Sequence, residues 1–279
     1  MKTGLVLEGG AMRGMYTAGI LDVMMENNIA VDMVVGVSAG AAFGVNFLSR
    51  QIGRVIRYNK QFNGAKGYMG LLPLLREGNV VSAEFAYGRV PRELDPFDDE
   101  TYKASSIPFY AVVANIKTGE AEYKQIHSVF EQMDTLRASG SMPFVSKPVE
   151  IGDETYLDGA IADSIPFEWA LSAGFEKLIV VLTRDESYTK KPMPSILIRI
   201  YKKKYPKIAQ KLSTQHLRYH ETLDRLKTLE AEGKAFVIRP SIPIEIGRIE
   251  KDPDKLQAVY DIGRSDGTKM LSALKRFLQ

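Results

Sequence analysis

Short apolar runs alternate along most of the chain with stretches of helical periodicity, the pattern of a largely parallel sheet covered by helices. Gly4–Leu7 reads as a buried strand, and Tyr16, Ile20, Val23 and Met24 then recur at helical spacing. Met33–Val35 predicts a second strand and Ala39–Phe47 the helix after it. Arg50, Arg54, Arg57 and Lys60 fall on one helical face, and Glu93–Glu100 is acidic with prolines; both read as solvated surface. Pro108–Ile116 and Ala121–Ile126 flank the turn Lys117-Thr118-Gly119-Glu120 and predict a hairpin. Ser128–Ala138 reads as a helix capped by Ser128. Gly152-Asp153 marks a second hairpin turn, after which Tyr156 and Leu157 lead to Asp158 at a strand end. Ile165–Ala173 predicts a helix with Pro166 in its first turn and Gly174 at its end, followed by a buried strand over Lys177–Leu182. Leu212–Glu232 predicts an amphipathic helix, Ala235–Arg239 a late strand and Pro253–Leu278 a long helix.

These elements predict a three-layer α/β/α sandwich with a mainly parallel central sheet and a sharp serine turn after its second strand. The pattern contains no repeats and no low-complexity linker, so 1–279 reads as one domain. Its motifs fall within 4–185, a helical basic excursion runs over about 186–234, and a strand and helix close the chain at 235–279.

With 45% hydrophobic residues among 279, there is material for one sizeable core. A net charge of +3 is too mild to imply a nucleic-acid partner. The absence of cysteine excludes disulfides, thiolate metal sites and a cysteine nucleophile. Met1-Lys2-Thr3 precedes only a short apolar run before Glu8, which argues against a signal peptide and points to the cytoplasm. Ile29–Leu48 has the length of a membrane span, but Asp32, Asn46 and its glycines fit strand, turn and helix better. Lys190–Lys211 carries eight positive charges and no negative one, interleaved with Ile, Leu and Tyr. That composition predicts peripheral contact with an anionic membrane, at its inner surface for a cytoplasmic protein. Nothing in the pattern bears on oligomeric state.

The chemistry concentrates in two loops. Gly36-Val37-Ser38-Ala39-Gly40 is G-x-S-x-G between a strand and a helix, the context of a nucleophile elbow. The serine there takes a strained backbone conformation, and small neighbours let adjacent elements approach. Glu8-Gly9-Gly10-Ala11-Met12-Arg13-Gly14 is a glycine-rich loop between a strand and a helix, which presents backbone N–H groups to an anion. Two anions fit: a phosphate or the oxyanion of an ester's tetrahedral intermediate. Gly9-x-Ala11-x-x-Gly14 approximates a dinucleotide fingerprint with Asp32 near the ribose-binding distance, but Ala11 replaces the middle glycine and Arg13 sits inside the loop. Parallel neighbouring strands would put both loops at one sheet edge, facing each other. A nucleophilic serine needs a base, and the candidates include His127, His216 and His220. The order Ser38, Asp158, His216 or His220 matches an α/β-hydrolase triad, yet such enzymes place several strands before the elbow and here only one precedes it.

Taken together, the loop Glu8–Gly14, the Gly36–Gly40 elbow and Asp158-Gly159-Ala160 resemble the motifs of the patatin-like phospholipases, particularly their bacterial branch. Ala138-Ser139-x-Ser141-x-Pro143-Phe144 resembles the segment that family carries before its aspartate. The resemblance implies a serine acyl hydrolase acting on lipid or other carboxylic esters, with no metal or organic cofactor. Ser38 would be the nucleophile, Asp158 the base in a dyad without histidine, and Gly9, Gly10 and Ala11 the oxyanion hole, with Arg13 and Gly14 supporting the loop. One departure is Ala11, where the family usually has a glycine; its methyl is tolerable at negative φ but would narrow the hole. The competing readings are a histidine-dependent esterase or thioesterase and a non-catalytic lipid- or nucleotide-binding protein on the same scaffold.

Overall fold

The computed structural model describes all residues, 1–279. Its sheet has eight strands: β1 (Thr3–Leu7), β2 (Met33–Val37), β3 (Phe109–Asn115), β4 (Ala121–Ile126), β5 (Val149–Ile151), β6 (Glu154–Asp158), β7 (Lys177–Val181) and β8 (Ala235–Ile238). They run in the order β5-β6-β3-β2-β1-β7-β8, with β4 also paired to β3. The strands β3, β2, β1, β7 and β8 are mutually parallel, and β4, β5 and β6 attach to them by antiparallel pairing. Alternate side chains divide between two cores. Leu5, Leu7, Val34, Ile179 and Val181 enter one, while Val6, Val35, Val37, Val180 and Val237 enter the other. Because both faces are covered, the parallel strands are apolar along runs of consecutive positions rather than at every second one.

The helices are α1 (Gly14–Glu26), α2 (Ala39–Leu48), α3 (Arg54–Phe62), α4 (Leu71–Glu77), α5 (Asp99–Ala104), α6 (Met133–Ser139), α7 (Phe167–Ser172), α8 (Ser195–Lys204), α9 (Pro206–Ala231) and α10 (Pro253–Leu278). Residues of α1, α2, α3 and α10 fill the first core, and residues of α7 and α9 the second, which completes the α/β/α sandwich. The pattern predicts α1 with one buried face, yet Gly14 to Met25 are all buried. The cause is α10, which covers the outer side of α1; Tyr260 donates to Asp22 at 2.6 Å and Tyr16 to Asp266 at 3.3 Å across the pair. No helix is long and apolar enough to cross a membrane, and 29–48 is divided between β2 and α2.

Three local expectations are corrected. The basic face of α3 and the acidic 93–100 stretch are not both solvated: Arg54 and Asp95 are buried, with Nε to Oδ1 at 3.2 Å, and Arg57 joins the same carboxylate at 2.7 Å. Asp99 is also buried and accepts from the Ser128 hydroxyl at 2.8 Å and the Val129 N–H at 2.7 Å. Those bonds hold 128–132 as a separate turn, so α6 starts at Met133 with Gln132 as its cap residue rather than at Ser128. The basic excursion is two helices broken at Tyr205-Pro206, since the residue before a proline is disfavoured in helical conformation. It packs Tyr201, Ile208 and Leu212 against Leu157 and Ile161, so it is a wall of the sandwich.

The Arg54 site yields a stability prediction. Asp95→Ala leaves Arg54 buried without its counter-ion, which costs about 3 kcal/mol of unfolding free energy. Urea titration is the check, and a loss below about 1 kcal/mol would contradict the buried pair's importance.

Candidate active site

The site begins with a register. Val37, the last residue of β2, pairs with Val112 of β3, and Asp158, the last residue of β6, pairs with Val113. β4 occupies the opposite edge of β3, so β2 and β6 approach each other head-on along one edge and stop at adjacent rungs. Ser38 and Asp158 are thereby brought together from 120 residues apart. The junction is tight: a Cβ on Gly159 would overlap the Val112 carbonyl, and one on Gly40 would overlap the Leu7 carbonyl at the end of β1. Gly36 lies within β2. Ser38 itself has φ 56°, a left-handed conformation that non-glycine residues rarely hold and that turns its side chain out of the strand-to-helix path.

The Ser38 hydroxyl donates to Asp158 Oδ2 at 2.7 Å, and the Ala160 N–H donates to Oδ1 at 2.9 Å. Burial pushes the Asp158 pKa up to about 6, opposed by the Ala160 N–H, the Ser38 hydroxyl and the charges of Lys190 and Arg248. The last residue of α6 and the loop after it tie both strand ends: the Ser38 N–H donates to Ser139 Oγ at 2.9 Å, and the Asp158 N–H to the Ser141 carbonyl at 2.9 Å. None of the three histidines lines the cleft holding Ser38. His220 Nε2 instead accepts from the Lys190 N–H at 3.0 Å.

The glycine-rich loop faces this pair. A Cβ on Gly9 would sit 3.0 Å from the Ser38 Cβ, and the N–H groups of Gly9 and Gly10 donate to no group of the protein. Glu8 anchors the loop: it is buried, with its carboxylate accepting from Thr183 Oγ1 at 3.0 Å and Tyr219 at 2.7 Å. Ala11 has φ 47°, not the negative φ at which its methyl would be unstrained, so this loop holds an alanine in the glycine region. The expected support from Arg13 is also corrected. Its side chain makes no hydrogen bond and its Nε is buried without a partner; it lines the cleft as a cation while Gly14 starts α1. The dinucleotide reading fails on placement. Asp32 precedes β2, where its carboxylate accepts the Thr3 N–H at 2.7 Å, at the sheet edge opposite the loop.

Two cavities meet at Ser38. One, of about 680 Å³ including its open mouth, is mainly apolar, lined by Phe43, Tyr58, Tyr68, Met69, Val81 and Ala86 among others, and shares Arg248 with the second. The second, of about 790 Å³ measured the same way, contains Asp158 and the cations Arg13, Arg184, Lys190 and Arg248. Both lie in the size range of small-molecule sites. Sequence reasoning missed Thr183, Tyr219, Arg184 and Arg248. Thr183 and Arg184 follow the C-terminal end of β7, a position where sheet proteins place ligand groups, and that signal was available. Tyr219 and Arg248 come from distant segments without a local signature.

Comparison with known proteins gives five matches. A family model described as "Patatin-like phospholipase" matches residues 5–171, and another described as "Domain of unknown function (DUF6363)" matches 205–279. The uncharacterized protein YjjU of Escherichia coli (strain K12) is 29% identical over 192 residues, 65% of this chain and 52% of its own. Lysophospholipase nte1 of Aspergillus niger is 23% identical over 300 residues, 99% of this chain but 18% of its own. The crystal structure of VipD from Legionella pneumophila superposes with a TM-score of 0.51 at 11% identity, over 98% of this chain and 67% of that one, a likeness of fold. The chain thus spans about half the length of YjjU and a smaller share of nte1.

Proposed function

This chain belongs to the patatin-like phospholipase family, and from that premise we propose that it is a lipid acyl hydrolase using Ser38 and Asp158 as a catalytic dyad. The observation that carries the reading is the 2.7 Å hydrogen bond from Ser38 to a buried Asp158, with no histidine beside it. Ser38 Oγ forms a bond to the ester carbonyl carbon as its proton passes to Asp158 Oδ2. The free N–H groups of Gly9 and Gly10 receive the developing oxyanion, with Ala11 completing the loop. Collapse breaks the carbon–oxygen bond of the ester, and the departing alcohol takes the proton from Asp158. Water then attacks the acyl-enzyme and gives a proton to Asp158; collapse breaks the bond to Ser38 Oγ, which takes that proton back as the acid departs. An ordinary carboxylate is a poor base for a hydroxyl; one raised to about 6 by burial lies closer to neutral pH, where general-base catalysis is more effective. The apolar cavity suits the acyl chain.

Three consequences test this reading. Ser38→Ala and Asp158→Asn should each lower ester hydrolysis by about 10²-fold or more, while alanine at His127, His216 or His220 should leave most activity. Because Asp158 must be ionised to accept a proton, kcat/KM should fall tenfold per pH unit below about 6 and level off above it. Loss of activity in a folded His216→Ala or His220→Ala variant would favour the histidine-dependent esterase instead.

A peripheral membrane contact is the second part of the proposal, narrowed from the whole Lys190–Lys211 stretch. Lys190 is withdrawn into the cleft, and Lys211 pairs with Glu120 at 2.8 Å. Exposed apolar and basic side chains coincide on α8, where Ile196 and Ile200 are 57% and 59% exposed beside Lys202, Lys203 and Lys204. Apolar side chains there can enter an interface that the lysines attract, each contributing about 1 kcal/mol. Replacing all three lysines with glutamate should abolish salt-sensitive co-sedimentation with anionic vesicles while preserving hydrolysis of a water-soluble short-chain ester. Undiminished co-sedimentation would show α8 to be ordinary solvated surface.

A further inference from the structure

The second cavity at Ser38 is lined by four cations, Arg13, Arg184, Lys190 and Arg248, and none of them makes an ion pair. With Glu8 and Asp158 both ionised, the cleft still carries two excess positive charges. The Nε atoms of Arg13 and Arg184 are buried and have no acceptor. Arg184 is held by stacking on Tyr188, 4.1 Å from the ring centroid, and Lys190 Nζ lies 4.7 Å from the Tyr219 centroid. Aromatic contacts of this kind fix a cation in place without neutralising it. Burial lowers the Lys190 pKa, Arg13 and Arg248 add to that, and Glu8 and Asp158 oppose it. Unpaired cations in a partly desolvated cleft call for an anion.

We infer that this cleft binds a phosphate carried on the alcohol part of the ester, and that it prefers a phosphate monoester to a zwitterionic or uncharged head group. The inference deepens the hydrolase reading and rests on it for orientation: the acyl chain occupies the apolar cavity, which leaves the cationic side for the leaving group. Guanidinium groups match phosphate oxygens with paired N–H donors, and two excess charges match a dianion. The C-terminal segment takes part directly, since Tyr219 and Arg248 both lie within the stretch matched by the domain of unknown function.

Binding can be read without turnover on full-length protein carrying Ser38→Ala, so failure of the hydrolase reading does not decide this test. Calorimetry would compare decyl phosphate, decylphosphocholine and decyl maltoside below their micelle concentrations, with inorganic phosphate as competitor. Decyl phosphate should bind at least about tenfold more tightly than the other two, and Arg184→Gln or Arg248→Gln should each remove about tenfold of that preference. Arg248 is exposed, so its replacement should leave the fold intact, and circular dichroism checks this. Inorganic phosphate should compete but bind more weakly than decyl phosphate. Equal affinity for the three amphiphiles, or no saturable binding of decyl phosphate, would overturn the inference. Inorganic phosphate binding as tightly as decyl phosphate would also overturn it, by making the cleft a site for the free ion.

Discussion

One edge of β3 holds the two halves of the site together. β2 and β6 run toward each other along that edge and end opposite Val112 and Val113, so backbone hydrogen bonding sets the distance between Ser38 and Asp158. Little else is free to vary. Gly159 cannot carry a side chain without meeting the Val112 carbonyl, and Gly40 is pressed on the Leu7 carbonyl in the same way. The rest of the fold follows from this junction: α2 must start at once after Ser38, and the loop after β1 must pass over the serine. The geometry has an energetic cost, because Ser38 and Ala11 are held at positive φ and Asp158 is kept in a site that disfavours its charge. Strain and burial of this kind persist only where surrounding packing over-determines them, and they cluster at functional sites.

The site also has two unlike sides, and the chain's two halves divide the work of building them. The segment up to the middle of the chain supplies the serine, the loop and all of the apolar cavity's wall except Met142 and Arg248. Lys190 and Arg184 follow β7, while Tyr219 and Arg248 come from the C-terminal third, which otherwise serves as a wall of the sandwich. Glu8 of the first half links the two, since its carboxylate is held by both Thr183 and Tyr219 of the second. Removal of the C-terminal segment would therefore disturb the glycine-rich loop as well as the cleft wall.

Much of this was legible in the residues. The strands of the parallel sheet are unbroken apolar runs, and the two loops carry short motifs whose geometry depends on small residues nearby. Ser38 and the Gly9–Ala11 loop stand out by these motifs, whereas Asp158 is marked by the resemblance of Asp158-Gly159-Ala160 to a family motif. What was not legible depends on distant packing. Arg54 has the pattern of a surface residue until Asp95 is brought against it, and Ser128, held by Asp99, caps only the short turn before α6. Lys190 looked like one of a basic run, but the chain turns inward there to meet His220. The sign of φ at Ala11 cannot be read from composition at all.

The central claim is that Ser38 is a nucleophile activated by Asp158 alone. The most direct measurement is reaction with a fluorophosphonate probe, followed by peptide mass spectrometry, on the wild type and on Asp158→Asn and His220→Ala variants. The account predicts a single labelled residue, Ser38, with labelling slowed by about 10²-fold in Asp158→Asn and nearly unchanged in His220→Ala. Label on another residue, or labelling at the wild-type rate in folded Asp158→Asn, would contradict it.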